Sequence, residues 1–178
     1  MHKLLYSFQI LAYYLAWISG MELAAQGFYW QACFIILVIS GIQIFCQYKV
    51  MGQIKGLLPL IFILTFFGTV IDTSFLQLKL IHFAANPFNP YFSPPWMLAL
   101  WFNFSILFFT VLDRFFHLYL MVGILSFIGF PLSYLGGVKL GAAQFLGGNL
   151  NSLYIGLVWA FLFPLCLYFY NRWMKKNA

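Results

Sequence analysis

The chain alternates apolar runs of about helix-spanning length with short polar breaks. A helix rises about 1.5 Å per residue and a bilayer's hydrocarbon is about 30 Å thick, so about 20 apolar residues make one crossing. Six crossings are predicted by that measure, at about 4–21, 28–45, 57–75, 95–112, 118–135 and 153–170. Glu22, Gln26 and Gly27 close the first run, and QYKVMGQIKG, with Lys49 and Lys55, separates the second from the third. Gly147, Gly148, Asn149 and Asn151 predict a turn before the sixth. Residues 76–93 differ: Lys79, His82, proline breaks and several aromatics predict an interfacial hairpin. The fold class that follows is all-α: a six-helix membrane bundle forming one domain over residues 1–178.

The fourth run organises the rest. Pro94 to Leu112 is nineteen residues without a charge, about 28 Å of helix. Pro94 and Pro95 suit its first turn, which has no use for their missing N–H groups, and Asp113 and Arg114 end it. Trp96, Asn103, Thr110 and His117 recur every seven residues, which with Asp113 predicts a single stripe on one helix face. In the third run Thr65, Gly68, Thr69 and Asp72 share a face. In the fifth, Gly129, Ser133, Gly137 and Gly141 are spaced by four, a ladder of small residues predicted to let another helix come close, with Pro131 predicted to kink it.

Composition excludes a water-soluble domain. With 64% hydrophobic and 7% charged residues, the apolar surface is far too large for water to be the main solvent. The formal charge of +6 would suggest nucleic acid if it formed a patch, but the cations lie scattered at the ends of the runs. Sorted by alternate ends, Lys3, Lys49, Lys55, Arg114, Arg172, Lys175 and Lys176 fall on one side and only Lys79 and Lys139 on the other. Basic residues stay in the cytoplasm, so both termini are predicted to be cytoplasmic. Trp30, Trp96, Tyr170 and Trp173, near run ends, fit an interfacial aromatic belt. Lys3, an apolar run and Leu23-Ala24-Ala25 imitate a secretory signal, but the run exceeds the usual signal core, and a retained first helix is predicted.

Candidate chemistry is sparse. Charge inside a bilayer costs a few kcal/mol, about 2.5–3.5 on insertion scales, so each such group asks for a partner or a purpose. Asp72 and Lys139, both near the outer ends of their runs, either pair across a polar cavity or simply reach the headgroups. Asp113 and His117 either bound a helix in solvent or form a second polar site. The two aspartates lie on opposite sides of the predicted membrane and cannot share one centre. Asn103, deepest of the polar residues, together with Gln9, Gln31, Gln43 and Thr65, predicts interhelical hydrogen bonds. Cys33, Cys46 and Cys166 lack disulfide or metal spacing, as do His2 and His82. HExxH, GxSxG, CxxC and phosphate-loop motifs are absent, so no metal and no cofactor is predicted, and no catalytic residue can be named.

Phe8-Gln9, GTVIDTSFL around Asp72, PPWMLALWFNF leading to Asp113, and GFPLSYLGGVKLGA resemble the bacterial inner-membrane proteins grouped as domain-of-unknown-function family 2878. The resemblance covers nearly the whole chain. It implies a small multi-pass inner-membrane protein without an assigned activity, and an association with fatty-acid-modifying enzymes. In the family the position matched to Asp113 is more often an uncharged polar residue, which weakens an essential role for this carboxylate. The preferred expectation is a non-catalytic partner or scaffold for envelope-lipid enzymes, with the bilayer and those enzymes as partners and no nucleic acid. Its motivation is the lack of a catalytic cluster together with the small-residue ladder. One alternative is a lipid-modifying enzyme or carrier with a cleft near Asp72, Lys139 and Asn103; another is a small-solute transporter, which the absence of an internal repeat disfavours.

Overall fold

The computed structural model describes residues 2–52 and 54–176. It contains α1 (His2–Ala25), α2 (Tyr29–Met51), α3 (Leu57–Gln77), β1 (Ile81–Phe83), α4 (Pro95–Val111), a 3-10 turn (Asp113–Phe115), α5 (Tyr119–Lys139), β2 (Ala143–Phe145) and α6 (Leu150–Lys176). Five of the helices are long and apolar enough to cross a membrane; α4, at 17 residues, is shorter. Its length follows from its place. Flanked by α1, α2 and α3, it buries Trp96, Met97, Leu100, Trp101, Ile106 and Phe108, so neighbouring helices rather than lipid form most of its surroundings. The run predicted to be one crossing is therefore the core of the bundle. The other helices keep large apolar side chains such as Leu11, Phe62, Leu120 and Phe161 on the outside, as chains solvated by lipid do.

Helices pack where small residues face large ones. Gly68 of α3 lies against the Trp101 indole and Gly20 of α1 against Ile36 of α2. The tightest pairing is α5 with α6: a Cβ on Gly123 would stand 2.9 Å from the Ala160 carbonyl oxygen, and one on Gly156 would stand 2.8 Å from that of Phe127. Close approach of backbones through glycine is how membrane helices gain dispersion contact without a hydrophobic drive.

The helices alternate in direction, which gives the bundle two ends. At the basic end Gly56, before α3, meets Tyr170 and Met174 of α6, and Asn171 Nδ2 donates to the Phe116 carbonyl at 2.7 Å. At the other end β1 and β2 pair antiparallel, Ile81 with Phe145, His82 with Gln144 and Phe83 with Ala143. The Asn151 side chain fastens α6 to this sheet by donating to the Leu80 carbonyl at 2.6 Å. The segment expected to be an interfacial hairpin is thus half of a small sheet, with an Asn86-anchored turn in which Phe88 N donates to Asn86 Oδ1 at 3.0 Å. Its partner strand lies some sixty residues away, so three-residue strands leave no local signal.

Other expectations change as well. The expected ladder is not one packing face. Gly141 lies beyond α5 with φ +81°, in the left-handed region that glycine tolerates, and Gly129 has open space where a side chain would be. Gly137 packs against Met21 of α1, and Gly141 against Ala25. Pro131 lies inside α5, where it lacks the N–H for the helical bond and its ring sits against Gly156. The expected stripe on α4 is cut short because the helix ends at Val111, leaving Asp113 and His117 in an exposed connection. Trp96 and Tyr170 are buried in the core and not in a belt, whereas Trp30 and Trp173 are exposed near helix ends.

Candidate functional site

Between α1 and α5, floored by α4, runs a cleft of about 510 Å³. Its volume lies within the roughly 300–1,000 Å³ of small-molecule sites. Its lining is mostly apolar, rich in Trp, Phe, Leu and Met, with the hydroxyl-bearing Tyr13, Tyr14, Ser126, Ser133 and Tyr134 on its walls. α5 contributes from Val122 to Gly137, but α1 only from Tyr13 to Met21. The two helices start at the same end and touch where Trp17 meets Gly136 and Met21 meets Gly137. The cleft is therefore closed toward α1 near the sheet, and of its lining Tyr14, Leu125, Gly129 and Leu132 are exposed on the face between α1 and α5. Gly129 and Ser133, expected to pack, form part of its wall. Bulky residues there would fill the space that the ladder leaves open.

Behind this wall lies Asp72, fully buried. Trp101 Nε1 of α4 donates to its Oδ2 at 2.7 Å, and the Tyr134 hydroxyl of α5 donates to its Oδ1 in a short contact. Both donors line the cleft, so one carboxyl on α3 sets the positions of two lining residues, one on its floor helix α4 and one on its wall helix α5. Gly68, one turn before Asp72, leaves room for the Trp101 ring that makes this reach feasible. The Trp101 ring also packs on Trp159 and Phe130, at centroid distances of 4.6 and 5.5 Å. Trp159 Nε1 lies beside Tyr134 without meeting hydrogen-bond geometry and is buried with no partner.

A second polar group sits on the opposite face of α4. Asn103 Nδ2 donates to Gln43 Oε1 at 2.6 Å and to Ser40 Oγ at 2.8 Å. Gln9 and Gln43 donate to each other's backbone carbonyls at 3.1 and 3.2 Å, and Thr110 Oγ1 donates to Gln47 Oε1 at 2.5 Å. This seam ties α1, α2 and α4 together. Hydrogen bonds of this kind contribute about 1 kcal/mol or less each in membrane proteins, enough to fix helix rotation.

The candidates named from sequence are thus dispersed. Asp72 and Asn103 face different neighbours; Lys139 is exposed at the sheet end and does not meet Asp72, whose oxygens are taken by Trp101 and Tyr134. Asp113 and His117 are exposed at the basic end, where Asp113 Oδ1 accepts the Arg114 backbone N–H at 2.8 Å. Gln31 faces outward, and the Thr65 hydroxyl is buried without a partner. The three cysteines are free. No group of His, Cys, Asp and Glu able to hold a metal occurs among the described residues. What sequence reasoning missed is Tyr134 and Trp101. Their only local signal is a polar tip on an aromatic ring within a predicted span, which names no partner.

The fold and the cleft together define a class: an all-α bundle with a lipid-facing exterior and a lateral apolar cleft. The family model of proteins of unknown function DUF2878 matches residues 6–165, and the chain belongs to that family. No curated protein and no solved structure matches it.

Proposed function

We propose that this protein binds the hydrocarbon chain of a membrane amphiphile in the cleft between α1 and α5, and that it serves as a non-catalytic partner in envelope-lipid modification. The observation that carries this is the cleft's sideways opening: an apolar channel within a lipid-facing bundle is reached from the bilayer without passing through water. The glycine and serine positions that first suggested a scaffold support the same role by leaving room for a chain instead of for another helix. Asp72 is the cross-brace that holds Trp101 and Tyr134 at their places in the wall. The alternative of a lipid-modifying enzyme draws support from the carboxyl and phenol of Asp72 and Tyr134 meeting at that wall. Clustering of seven cations at one end supports a chain with both termini in the cytoplasm and with the bacterial inner membrane as its site.

Gly129→Phe tests the reading. The site has open space for a side chain, and replacing a helical glycine adds about 0.5–1 kcal/mol of helix propensity, so the variant folds while its ring fills the cleft. Native mass spectrometry of delipidated protein given a long-chain alcohol is expected to show one bound chain on the natural protein and none on the variant. Equal occupancy in the two rejects the proposal.

A further inference from the structure

The cleft has a direction, and we infer from it the class of amphiphile: one long hydrocarbon chain carrying an anionic head, the head held by Arg114 at the basic end. This inference rests on the chain-binding reading above and adds the head, its location and the chain length.

Toward the basic end α1 withdraws from the lining, which begins only at Tyr13 on α1 but at Val122 on α5. The lining at that end is Leu112, Phe115 and Val122. Arg114 is exposed, and its guanidinium carbon lies 5.8 Å from the centroid of the Phe115 ring, so its positive charge is parked on the rim residue itself. The one nearby acid, Asp113, turns an oxygen to the Arg114 backbone N–H, and among the described residues no carboxylate forms an ion pair with the guanidinium. A planar cation with free donors, placed at the basic end of an apolar cleft, matches a carboxylate or phosphate head better than a neutral one. At the opposite end the cleft is closed toward α1 by Trp17 and Met21. The exposed charges there are Lys79 and Lys139 against Glu22, and an ammonium lacks the guanidinium's planar fork.

Length follows from α4. Its lining residues run from Trp96 to Leu112, about 24 Å at about 1.5 Å per residue. One leaflet offers about 15 Å, half of a hydrocarbon core about 30 Å thick. A chain that fills the channel from the basic mouth passes the bilayer midplane, so it exceeds the depth that a lipid tail occupies in its own leaflet.

The test measures binding to full-length protein in vesicles of neutral zwitterionic lipid. Probes sharing one long chain carry a carboxylate, a phosphate monoester or an alcohol; inorganic phosphate is the chainless control. In the natural protein the two anions are expected to bind at least about tenfold tighter than the alcohol, a difference that shrinks as salt screens the exposed arginine. Arg114→Gln is expected to bring the anions down to the alcohol's affinity and leave the alcohol unchanged, while Lys139→Gln changes none of them. Shortening the chain to single-leaflet depth is expected to weaken all three. Tightening by only one of the two anions narrows the head to that anion and still supports the inference. It is overturned if the alcohol binds as well as the anions, if Lys139→Gln rather than Arg114→Gln removes the difference, if chain length has no effect, or if inorganic phosphate alone competes. Gly129→Phe separates the two levels. Loss of all three probes in that variant with no head preference in the natural protein defeats only the present inference; undiminished binding of all three defeats the chain-binding reading as well.

Discussion

Replacing Tyr134 by Phe deletes one oxygen and leaves the ring that lines the cleft, so it isolates the Asp72 contact from packing. After the change Asp72 Oδ1 is buried without its donor, and only the Trp101 bond at 2.7 Å remains. Leaving a buried acceptor unpaired costs about 1–3 kcal/mol in soluble proteins. In membranes the measured coupling is lower, averaging about 0.6 and reaching about 1.7 kcal/mol, because the unfolded chain also finds partners in the bilayer. A fully buried carboxyl with two donors belongs at the upper end, and the expected loss is about 1–2 kcal/mol. Reversible unfolding by a denaturing detergent in mixed micelles is a suitable assay. A double-mutant cycle with Asp72→Asn supplies the coupling term, expected at about 1 kcal/mol or more. Additive effects of the two changes, or a loss below about 0.3 kcal/mol for Tyr134→Phe, would show that the two side chains do not act together.

Glycine exchanges at two positions on the fifth and sixth helices should diverge. Gly156→Leu forces its Cβ against the Phe127 carbonyl and the Pro131 ring, both at 2.8 Å, and is expected to destabilise by more than about 2 kcal/mol, whereas Gly129→Leu is neutral or stabilising; a matched loss in the same unfolding assay refutes the assigned faces. Gly68→Ala is expected to displace the Trp101 ring and shift its fluorescence; spectra unchanged in a variant lacking the other tryptophans argue against the close contact. Gln43→Leu removes an acceptor of Asn103 Nδ2 and the side-chain donor to the Gln9 carbonyl and should cost about 1 kcal/mol, an effect that shrinks in an Asn103→Leu background; an undiminished loss there contradicts the seam. Single cysteines placed at Lys3 and at Lys175 in a cysteine-free chain are expected to be labelled from the cytoplasmic side only, and labelling from opposite sides rejects the proposed orientation.

How far the sequence reaches depends on whether a feature is local. Run lengths and bounding polar residues mark where helices form, and the glycines before α3 and after α2, with φ of +89° and +70°, sit at the breaks that they predict. The polar depth of Asn103 points to an interhelical bond, and Ser40 and Gln43 supply it. Helix rotation is different, because it is set by all neighbours at once. A four-residue spacing of Gly129, Ser133 and Gly137 reads the same whether it faces a helix or a void. Asp72 and Tyr134 are sixty-two residues apart, so nothing in either segment announces their contact. At α4 run length marks the helix but not its surroundings: the apolar stretch is a buried core helix that ends before His117.

The claim beneath all of this is that a hydrocarbon chain lies along α4 between α1 and α5. Photocrosslinking reads it directly: a lipid with a diazirine on its chain is incorporated into vesicles with the protein, irradiated, and the adducts are mapped by peptide mass. Adducts concentrated on cleft residues such as Leu100, Phe104 and Leu107, and lost in Gly129→Phe, are the predicted result. Adducts spread over outward-facing residues such as Phe62 and Phe161, unaltered by that substitution, would contradict it.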